Sequence, residues 1–272
     1  MPLDKLKHRL REFPPDEWRR GGSFDFKSSL SRPEDNWDMG ANYRQPDWVM
    51  QAHNTAKVKQ IFLFGTGPSL GGQLPLLQEM SKQHKHTWTV NRMRTFKALP
   101  FTPLFHSIAE PAPVEAWGRG IYPLYDFPEA VNRIAVHWYP VYAPGWTWVA
   151  KAQDEQQIRW HGFFGLGDVF PPLPSGWASP LTVAQVAAWM GYQEFYFLGV
   201  DTTQKGQAWD AVQGRTARER NILAILECFD RARAQIQKAG RKVFDCTPGG
   251  RLNREGVLPY AELSDILAVK GD

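Results

Sequence analysis

Apolar residues along this chain occur in two patterns, and each pattern predicts a different kind of element. Short apolar runs end at a glycine or a polar residue, as 58–64 ends at Gly65 and 194–200 ends at Asp201. Runs of this kind are typical of parallel strands that are buried on both faces. Between them, apolar residues recur every three or four positions, which is typical of helices that pack one face on a sheet.

The two patterns alternate, and this alternation predicts the fold class. Predicted strands cover 58–64, 87–90, 134–139, 194–200 and 242–247, and predicted helices cover 4–13, 73–83, 181–190, 218–238 and 260–268. We therefore expect an α/β protein with a Rossmann-like, open and mainly parallel sheet that has helices on both faces. Ser179 followed by Pro180 fits the N-cap and the first position of the helix at 181–190.

Two sections of the chain lack this regularity. Residues 1–55 contain repeated prolines and glycines and several polar turns, so we expect an N-terminal arm. Residues 95–178 are rich in proline, glycine and aromatic residues, and we expect them to form a lid or an insertion over a ligand site. The whole of 56–272 is then expected to be one Rossmann-like, nucleotide-binding catalytic domain.

Composition and charge narrow the classes of function only slightly. A chain of 272 residues can bury a full core, and the net charge of +4 permits a phosphate-bearing ligand without demanding nucleic acid. No apolar run reaches the roughly 18 residues of a membrane helix, and the first residues lack the apolar stretch of a signal peptide. Cys228 and Cys246 have no metal-ligand spacing, so we expect reduced thiols and a cytoplasmic setting.

A glycine-rich segment follows the first predicted strand, and we call it the glycine loop: Gly65, Thr66, Gly67, Pro68 and Ser69. Glycines at 65 and 67 let a phosphate or a ribose approach the main chain, and amides of the loop and of the next helix can donate to anionic oxygens. The loop lacks the third glycine of a dinucleotide fingerprint and the Gly-Lys-Ser/Thr of a P-loop. A purely structural strand–helix turn therefore stays open as the alternative.

Three further polar residues are expected at the same edge of the sheet, because parallel strands end together and ligands bind at their carboxyl ends. Asn91 follows the second strand and could recognise a ribose or a base edge. Asp201 could accept hydrogen bonds from sugar hydroxyls, act as a base or bind a metal. Ser179 begins a helix whose amino end favours negative charge. Each of the three could instead be only a cap or a turn residue.

The combination of these segments resembles a known superfamily. Residues 64–70 (FGTGPSL), Asn91, Ser179 before an alanine-rich helix, and 190–201 (MGYQEFYFLGVD) are similar to the bacterial family 42 sialyltransferases. They are equally similar to the Maf-type flagellin glycosyltransferases and to the archaeal 6-hydroxymethylpterin diphosphokinase-like domain. The resemblance covers roughly 58–92 and 176–250, and it leaves out the N-terminal arm and the middle section.

What the resemblance implies is a nucleotide donor held by a Rossmann-like fold. In the sialyltransferases, the loop and the asparagine after the second strand hold a CMP-sugar, which assigns nucleotide binding here to the glycine loop and Asn91. Ser179 would lie near the phosphate or the sugar of the donor, and Asp201 near the base or the acceptor.

The chain departs from the family in two places. Thr66 stands where the family commonly has asparagine, and 202–245 contain no histidine, although the sialyltransferases use one there as general base. Candidates for the base are therefore Asp201, Asp210 and, from the middle section, His161. The missing histidine argues against sialyl transfer itself.

The predicted function is transfer of a sugar from a CMP-sugar-like donor to an acceptor hydroxyl of a glycan, a protein or a nucleic acid. We expect no metal and no cofactor, since the chain has no Asp-x-Asp motif. One alternative is Mg²⁺-dependent diphosphate transfer from ATP to a pterin-like alcohol, with Asp201 and Asp245 as ligands. The others are a glycosyltransferase that acts on DNA bases and a nucleotide-binding module without catalysis.

Overall fold

The computed structural model describes residues 45–91, 99–108, 131–137, 146–150, 163, 165–167, 173, 178–202 and 219–269. Its strands are β1 (Gln60–Phe64), β2 (Thr87–Val90), β3 (Phe105–Ile108), β4 (Asn132–His137), β5 (Trp146–Ala150), β6 (Glu194–Leu198) and β7 (Lys242–Asp245). Its helices are α1 (Asp47–Gln51), α2 (Leu74–Lys82), α3 (Ser179–Trp189), α4 (Glu219–Lys238), α5 (Arg251–Arg254) and α6 (Leu263–Ala268). A 3₁₀ segment, Pro68–Gln73, precedes α2.

The seven strands form one sheet in the order β5-β4-β3-β2-β1-β6-β7. Every neighbouring pair is parallel. The chain moves outward from β1 to β5, returns to place β6 on the other side of β1, and then adds β7. The order of strands therefore reverses between β1 and β6. In open parallel sheets, the crevice at such a reversal is where ligands bind.

Both faces of the sheet are covered by helices. Successive side chains of each strand point to opposite faces, so a strand with an unbroken apolar run has apolar side chains to bury on both. On one face, Ile61 and Leu63 of β1 pack in a core that also contains α1, α3 and α4. On the other face, Phe62 and Phe64 pack against the 3₁₀ segment, α2 and α6. All four side chains are fully buried, which explains the unbroken apolar run. The predicted Rossmann-like α/β fold is confirmed.

Helix α3 is the most enclosed helix of the described part of the chain, since every residue from Pro180 to Trp189 is buried. Trp189 packs beneath α1, where its ring stacks on His53 with centroids 3.9 Å apart. Its indole Nε1 donates to the Val49 carbonyl at 2.6 Å. The helix ends before Gly191, which has φ +104° as a left-handed stop.

The irregular middle section contributes to the sheet. Residues 95–178 contain β3, β4 and β5, of which only a strand at 134–139 was expected. Their carboxyl ends lie on the same edge of the sheet as those of β1 and β6, since all are parallel. Most residues of this section lie outside the described ones, so the lid or insertion stays a prediction. The predicted helix at 4–13 also lies outside them.

Candidate functional site

The glycine loop lies against the exit of β6, and the two segments approach closely. The Gly65 amide donates to the Leu198 carbonyl at 2.7 Å, and the Gly67 amide donates to the Gly199 carbonyl at 2.7 Å. A Cβ added at Gly65 would lie 2.3 Å from the Gly199 oxygen, which no side chain can do without moving the backbone. The glycines are therefore explained by the close approach of two strand ends at the sheet reversal.

Asp201 binds the loop through both of its carboxylate oxygens. Oδ1 accepts from the Ser69 amide at 3.2 Å, and Oδ2 accepts from the Ser69 hydroxyl at 2.8 Å. A Cβ at Gly67 would lie 1.8 Å from Oδ2, so only glycine leaves room for this carboxylate. Asp201 satisfies an amide at the start of the 3₁₀ segment, as an acidic cap does at the start of a helix.

These contacts change what the loop can offer a ligand. The amides of Gly65, Gly67 and Ser69 all donate within the chain, whereas the sequence led us to expect loop amides that donate to anionic oxygens. Pro68 has no amide hydrogen. In this conformation a phosphate can take the Ser69 amide only by displacing Asp201, because one negative group already occupies that position. This competition was not visible in the spacing of the residues.

The carboxyl group of Asp201 is a stronger base than an ordinary aspartate. Burial raises its pKa, and the hydrogen bonds from Ser69 oppose that rise without cancelling it. A carboxylate of raised pKa beside a crevice can accept a proton from a hydroxyl group more readily than an exposed one can.

Asn91 and Ser179 form a second pair, at the carboxyl end of β2 next to β1. Asn91 has φ +58°, a conformation that asparagine tolerates better than most residues, and its amide donates to the Ser107 carbonyl at 2.7 Å. Its side-chain Nδ2 donates to the Ser179 Oγ at 2.8 Å. This contact joins the end of a strand to the amino end of α3.

Ser179 does not have the predicted N-cap position. The helix begins at Ser179, its N-cap is Ala178, and no side chain caps its first turn. The Ser179 hydroxyl contacts Asn91 instead, which explains why a serine stands there. Pro180 still lies in the first turn, where its missing amide hydrogen costs nothing.

Asp245 lies at the end of β7, next to β6, and it is wholly buried. Its Oδ1 accepts from the Thr247 amide at 2.9 Å, and the Thr247 hydroxyl accepts from the Val200 amide at 3.1 Å. Asp245 thereby supports the segment that carries Asp201. Burial raises the pKa of Asp245 to about 6, and the negative charge of Asp201 adds to that rise.

The structure thus brings the predicted residues together in two pairs, Ser69 with Asp201 and Asn91 with Ser179, along the edge formed by β2, β1 and β6. Two predicted candidates for the base, Asp210 and His161, lie outside the described residues. Within the described residues, no three His, Cys, Asp or Glu side chains are grouped so that they could hold a metal ion. The sequence analysis did not predict the contact of Asp201 with the loop. The signal that could have indicated it is Gly67, two residues before Ser69.

The described helices include none with the length and apolar character required to cross a membrane. Among the described residues, neither Cys228 nor Cys246 forms a disulfide.

Comparison with known proteins gives one distant likeness. No protein-family model matches the chain, and no curated protein sequence is significantly similar to it. Among solved structures, the chain is similar to the MAf glycosyltransferase from Magnetospirillum magneticum AMB-1, with 16% sequence identity and a TM-score of 0.47. The match covers 71% of this chain and 32% of that chain. A likeness this distant carries no functional argument.

Proposed function

We propose that this chain is a glycosyltransferase that binds a CMP-sugar-like donor at the sheet reversal and transfers the sugar to an acceptor hydroxyl, without a metal ion. The observation that carries the proposal is the meeting of the glycine loop with Asp201 where β1 and β6 end. Open parallel sheets bind nucleotides at such a reversal. The sequence resemblance described above assigns the same residues to the donor.

Each residue of the candidate site has a role in this proposal. The glycine loop and Asn91 bind the nucleotide, and the Ser179 hydroxyl lies on the side of the phosphate. Asp201 takes the proton from the acceptor hydroxyl as the new glycosidic bond forms. The departing nucleotide phosphate accepts hydrogen bonds from loop and serine donors, among them the Ser69 amide and hydroxyl that Asp201 releases. Asp210 and His161 remain the other candidates for the base.

One observation favours a second function, the transfer of diphosphate from ATP to a pterin-like alcohol. Asp245 at the end of β7 and Asp201 beyond the end of β6 are near enough for their charges to interact, and Mg²⁺ prefers carboxylate ligands, but Asp245 would have to become accessible first because its side chain is wholly buried. Both functions place a nucleotide on the same edge of the sheet. They differ in whether the ligand requires the metal.

Thermal unfolding in the presence of candidate donors separates the two functions. We expect a CMP-sugar at about 100 times its Kd to raise the Tm by roughly 5 °C, with or without Mg²⁺, since binding to the folded state alone stabilises by about 2.7 kcal/mol. UDP-sugars, GDP-sugars and ATP are measured in parallel. Stabilisation by ATP only, and only with Mg²⁺, would contradict the glycosyltransferase proposal and support the second function.

Turnover is then measured without assuming the acceptor. Many sugar donors lose their sugar slowly to water in a transferase site, so we expect release of free CMP from a CMP-sugar at a rate that the protein increases. Asp201→Asn keeps the size of the side chain and removes its basicity, so the release should fall by roughly 10²-fold or more. Binding of the sugar donor without any release or transfer would identify a non-catalytic nucleotide-binding module.

A further inference from the structure

The edge of the sheet opposite the candidate site carries a concentration of basic residues. Because all strands are parallel, the residues that precede them lie together at the amino edge of the sheet. Helices α2 and α4 end at this edge as well, since only a few residues separate each of them from the strand that follows. We call the basic residues of this region the basic edge: Lys57, Lys59, Lys82, Lys85, Lys238, Arg241 and Lys242.

Three lysines of the basic edge have no acidic partner among the described residues. Lys57, Lys59 and Lys238 are exposed, and none of them forms an ion pair within that part of the chain. The described acidic residues of the same region are fewer than the basic ones, and they are Asp47, Glu79, Glu194 and Asp265. Two of these acids each neutralise one lysine, Glu79 with Lys82 at 3.3 Å and Glu194 with Lys242 at 2.9 Å. The basic edge therefore keeps a net positive charge.

Apolar side chains are exposed among these lysines. Val58 stands between the first two lysines of the basic edge and is 41% exposed, and Val269, just after α6, is 67% exposed. The end of α6 lies at the same edge, because Gln83 at the end of α2 donates to the Leu267 carbonyl at 2.9 Å. Aliphatic side chains that contact water gain free energy when a partner covers them.

Lysines and aliphatic side chains in one surface favour an anionic lipid surface as the partner. Its headgroups attract lysine, and the acyl region beneath them accepts a valine side chain. A nucleic acid would bind the lysines but would leave the valines uncovered, and its recognition relies strongly on arginine and aromatic side chains. Arg241, the one arginine of the basic edge, is already engaged, since its Nη1 donates to the Ala188 and Tyr192 carbonyls at 2.6 and 2.9 Å.

We propose that the basic edge docks this protein on the surface of an anionic phospholipid bilayer. The lysines contact the headgroups, and Val58 and Val269 enter the layer below them. The strands run from the basic edge to the candidate site, so the site faces away from the bilayer and a donor reaches it from solvent. The inference goes beyond the proposed function and does not depend on it.

Sedimentation with vesicles measures the docking of the full chain. The probes are vesicles of phosphatidylcholine with about 30% phosphatidylserine, and vesicles of phosphatidylcholine alone as the neutral comparison. Each lysine near an anionic surface raises the affinity about fivefold, so we expect the anionic vesicles to bind at least roughly 100-fold more tightly than the neutral ones. Raising NaCl from about 0.1 M to about 0.5 M should weaken this binding by roughly tenfold or more.

Substitutions of exposed lysines test which surface docks. Lys59→Gln should bind the anionic vesicles about fivefold more weakly, and Lys57→Gln combined with Lys59→Gln roughly 30-fold more weakly. Arg254→Gln is the matched control, because it removes one positive charge from an exposed position in α5, at the opposite edge of the sheet. Its affinity should stay within about twofold of the wild type, since salt screens a charge that lies more than about 10 Å from the bilayer.

Substitutions of the exposed apolar residues separate a lipid surface from a nucleic acid. Val58→Thr and Val269→Thr keep the shape of the side chain and replace a methyl group with a hydroxyl, so each should weaken vesicle binding about fourfold. Leu223→Gln changes an exposed apolar residue near the start of α4, away from the basic edge, and should have no effect. All the substituted side chains are exposed, so the variants should fold, which thermal unfolding verifies.

Three outcomes would overturn the proposal. The first is equal binding of the wild type to anionic and neutral vesicles, or no binding to either. The second is an equal loss of affinity in Lys59→Gln and Arg254→Gln. The third is tighter binding to a DNA duplex of about 30 base pairs than to the anionic vesicles, unchanged by the two valine substitutions, which would identify a nucleic acid as the partner. Binding of a sugar donor is measured separately, so either proposal can fail without the other.

Discussion

At the scale of single residues, Gly67 of the glycine loop and Gly71 of the 3₁₀ segment differ in the space around them. The carboxylate of Asp201 fills the space beside Gly67, whereas a Cβ at Gly71 would have no atom of the described residues within 4 Å. Neither residue has a left-handed φ, so steric space alone distinguishes them. Gly67 is therefore specific to the site, and Gly71 is not.

Gly67→Ala should displace Asp201 from Ser69, because the new Cβ would lie 1.8 Å from Oδ2. We expect a loss of about 2 kcal/mol in the free energy of unfolding, measured by urea denaturation, and a loss of donor binding. Gly71→Ala is the matched control and should be neutral or stabilising by up to about 1 kcal/mol. Equal effects of the two substitutions would contradict the assigned contact.

The acid–base behaviour of Asp245 should appear in the stability of the chain. Its pKa is about 6 in the folded chain, against about 3.9 for an unperturbed aspartate. The folded state binds this proton more tightly, so its stabilisation is complete below pH 4 and is lost as the pH rises through 6.

Asp245→Asn does not titrate and lacks this loss. Its stability relative to the wild type should therefore rise by roughly 2 kcal/mol between pH 4 and pH 7.5, in urea unfolding followed at several pH values. Whatever the substitution costs in packing is the same at every pH and does not affect the trend. A difference that stays constant with pH would show that Asp245 titrates normally.

At the scale of elements, the contact between Asn91 and Ser179 fixes the amino end of α3 to the end of β2. The backbone is left-handed at Asn91, with φ +58°, and the Asn91 side chain also bonds the first residue of the helix. Asparagine suits both, since it tolerates positive φ and its amide can donate. Its two contributions can be separated by substitution.

Asn91→Ala removes the amide and strains the backbone, whereas Asn91→Gly removes the amide alone. We expect Asn91→Ala to unfold about 1 kcal/mol more easily than Asn91→Gly, measured by thermal or urea unfolding. Both should lose donor affinity to the same extent if Asn91 contacts the nucleotide. Unchanged donor affinity in both variants would limit Asn91 to a structural role.

At the scale of the whole molecule, the sheet reversal determines which strands are most protected. Strand β1 pairs with β2 and β6, and its last four residues have no exposed surface. Strand β7 pairs with β6 on one side, and on the other side the only pairing within the described residues is the bridge of Asp245 to Tyr260.

Amides of β1 and β6 should therefore exchange with solvent more slowly than those of β7, by roughly a factor of ten or more, in native-state hydrogen exchange. Rapid exchange at Phe62 or Leu63 would show that the centre of the sheet is not where the pairing places it. The comparison within one chain needs no external standard, because all three strands are measured together.

The sequence was sufficient to predict strands whose side chains are mostly apolar on both faces, such as β1 and β6. It was not sufficient for β3, because His106 and Ser107 are polar there. Each of them contacts a side chain of β2: His106 Nδ1 lies 2.8 Å from the Thr89 hydroxyl, and the Trp88 indole donates to the Ser107 hydroxyl at 2.7 Å. Contacts of this kind depend on strand order, which short-range patterns do not contain.

The same limit applies to the candidate site. We expected one edge of the sheet to carry the glycine loop, Asn91, Ser179 and Asp201, because parallel strands end together. Asp201 accepts from the Ser69 amide because β1 pairs with β6. The Ser179 hydroxyl contacts Asn91 rather than a helix amide because α3 packs beside β2. Those pairings join residues more than 80 positions apart.

The pairing of β1 with β6 also has a consequence for synthesis on the ribosome. Gln60 and its partner Glu194 are separated by 134 residues. At roughly 5 to 20 residues per second, β1 leaves the exit tunnel about 7 to 27 seconds before the strand that completes it. During that interval one apolar strand edge is open to other nascent chains, so successful production of this protein depends on protecting that edge until β6 has also left the exit tunnel.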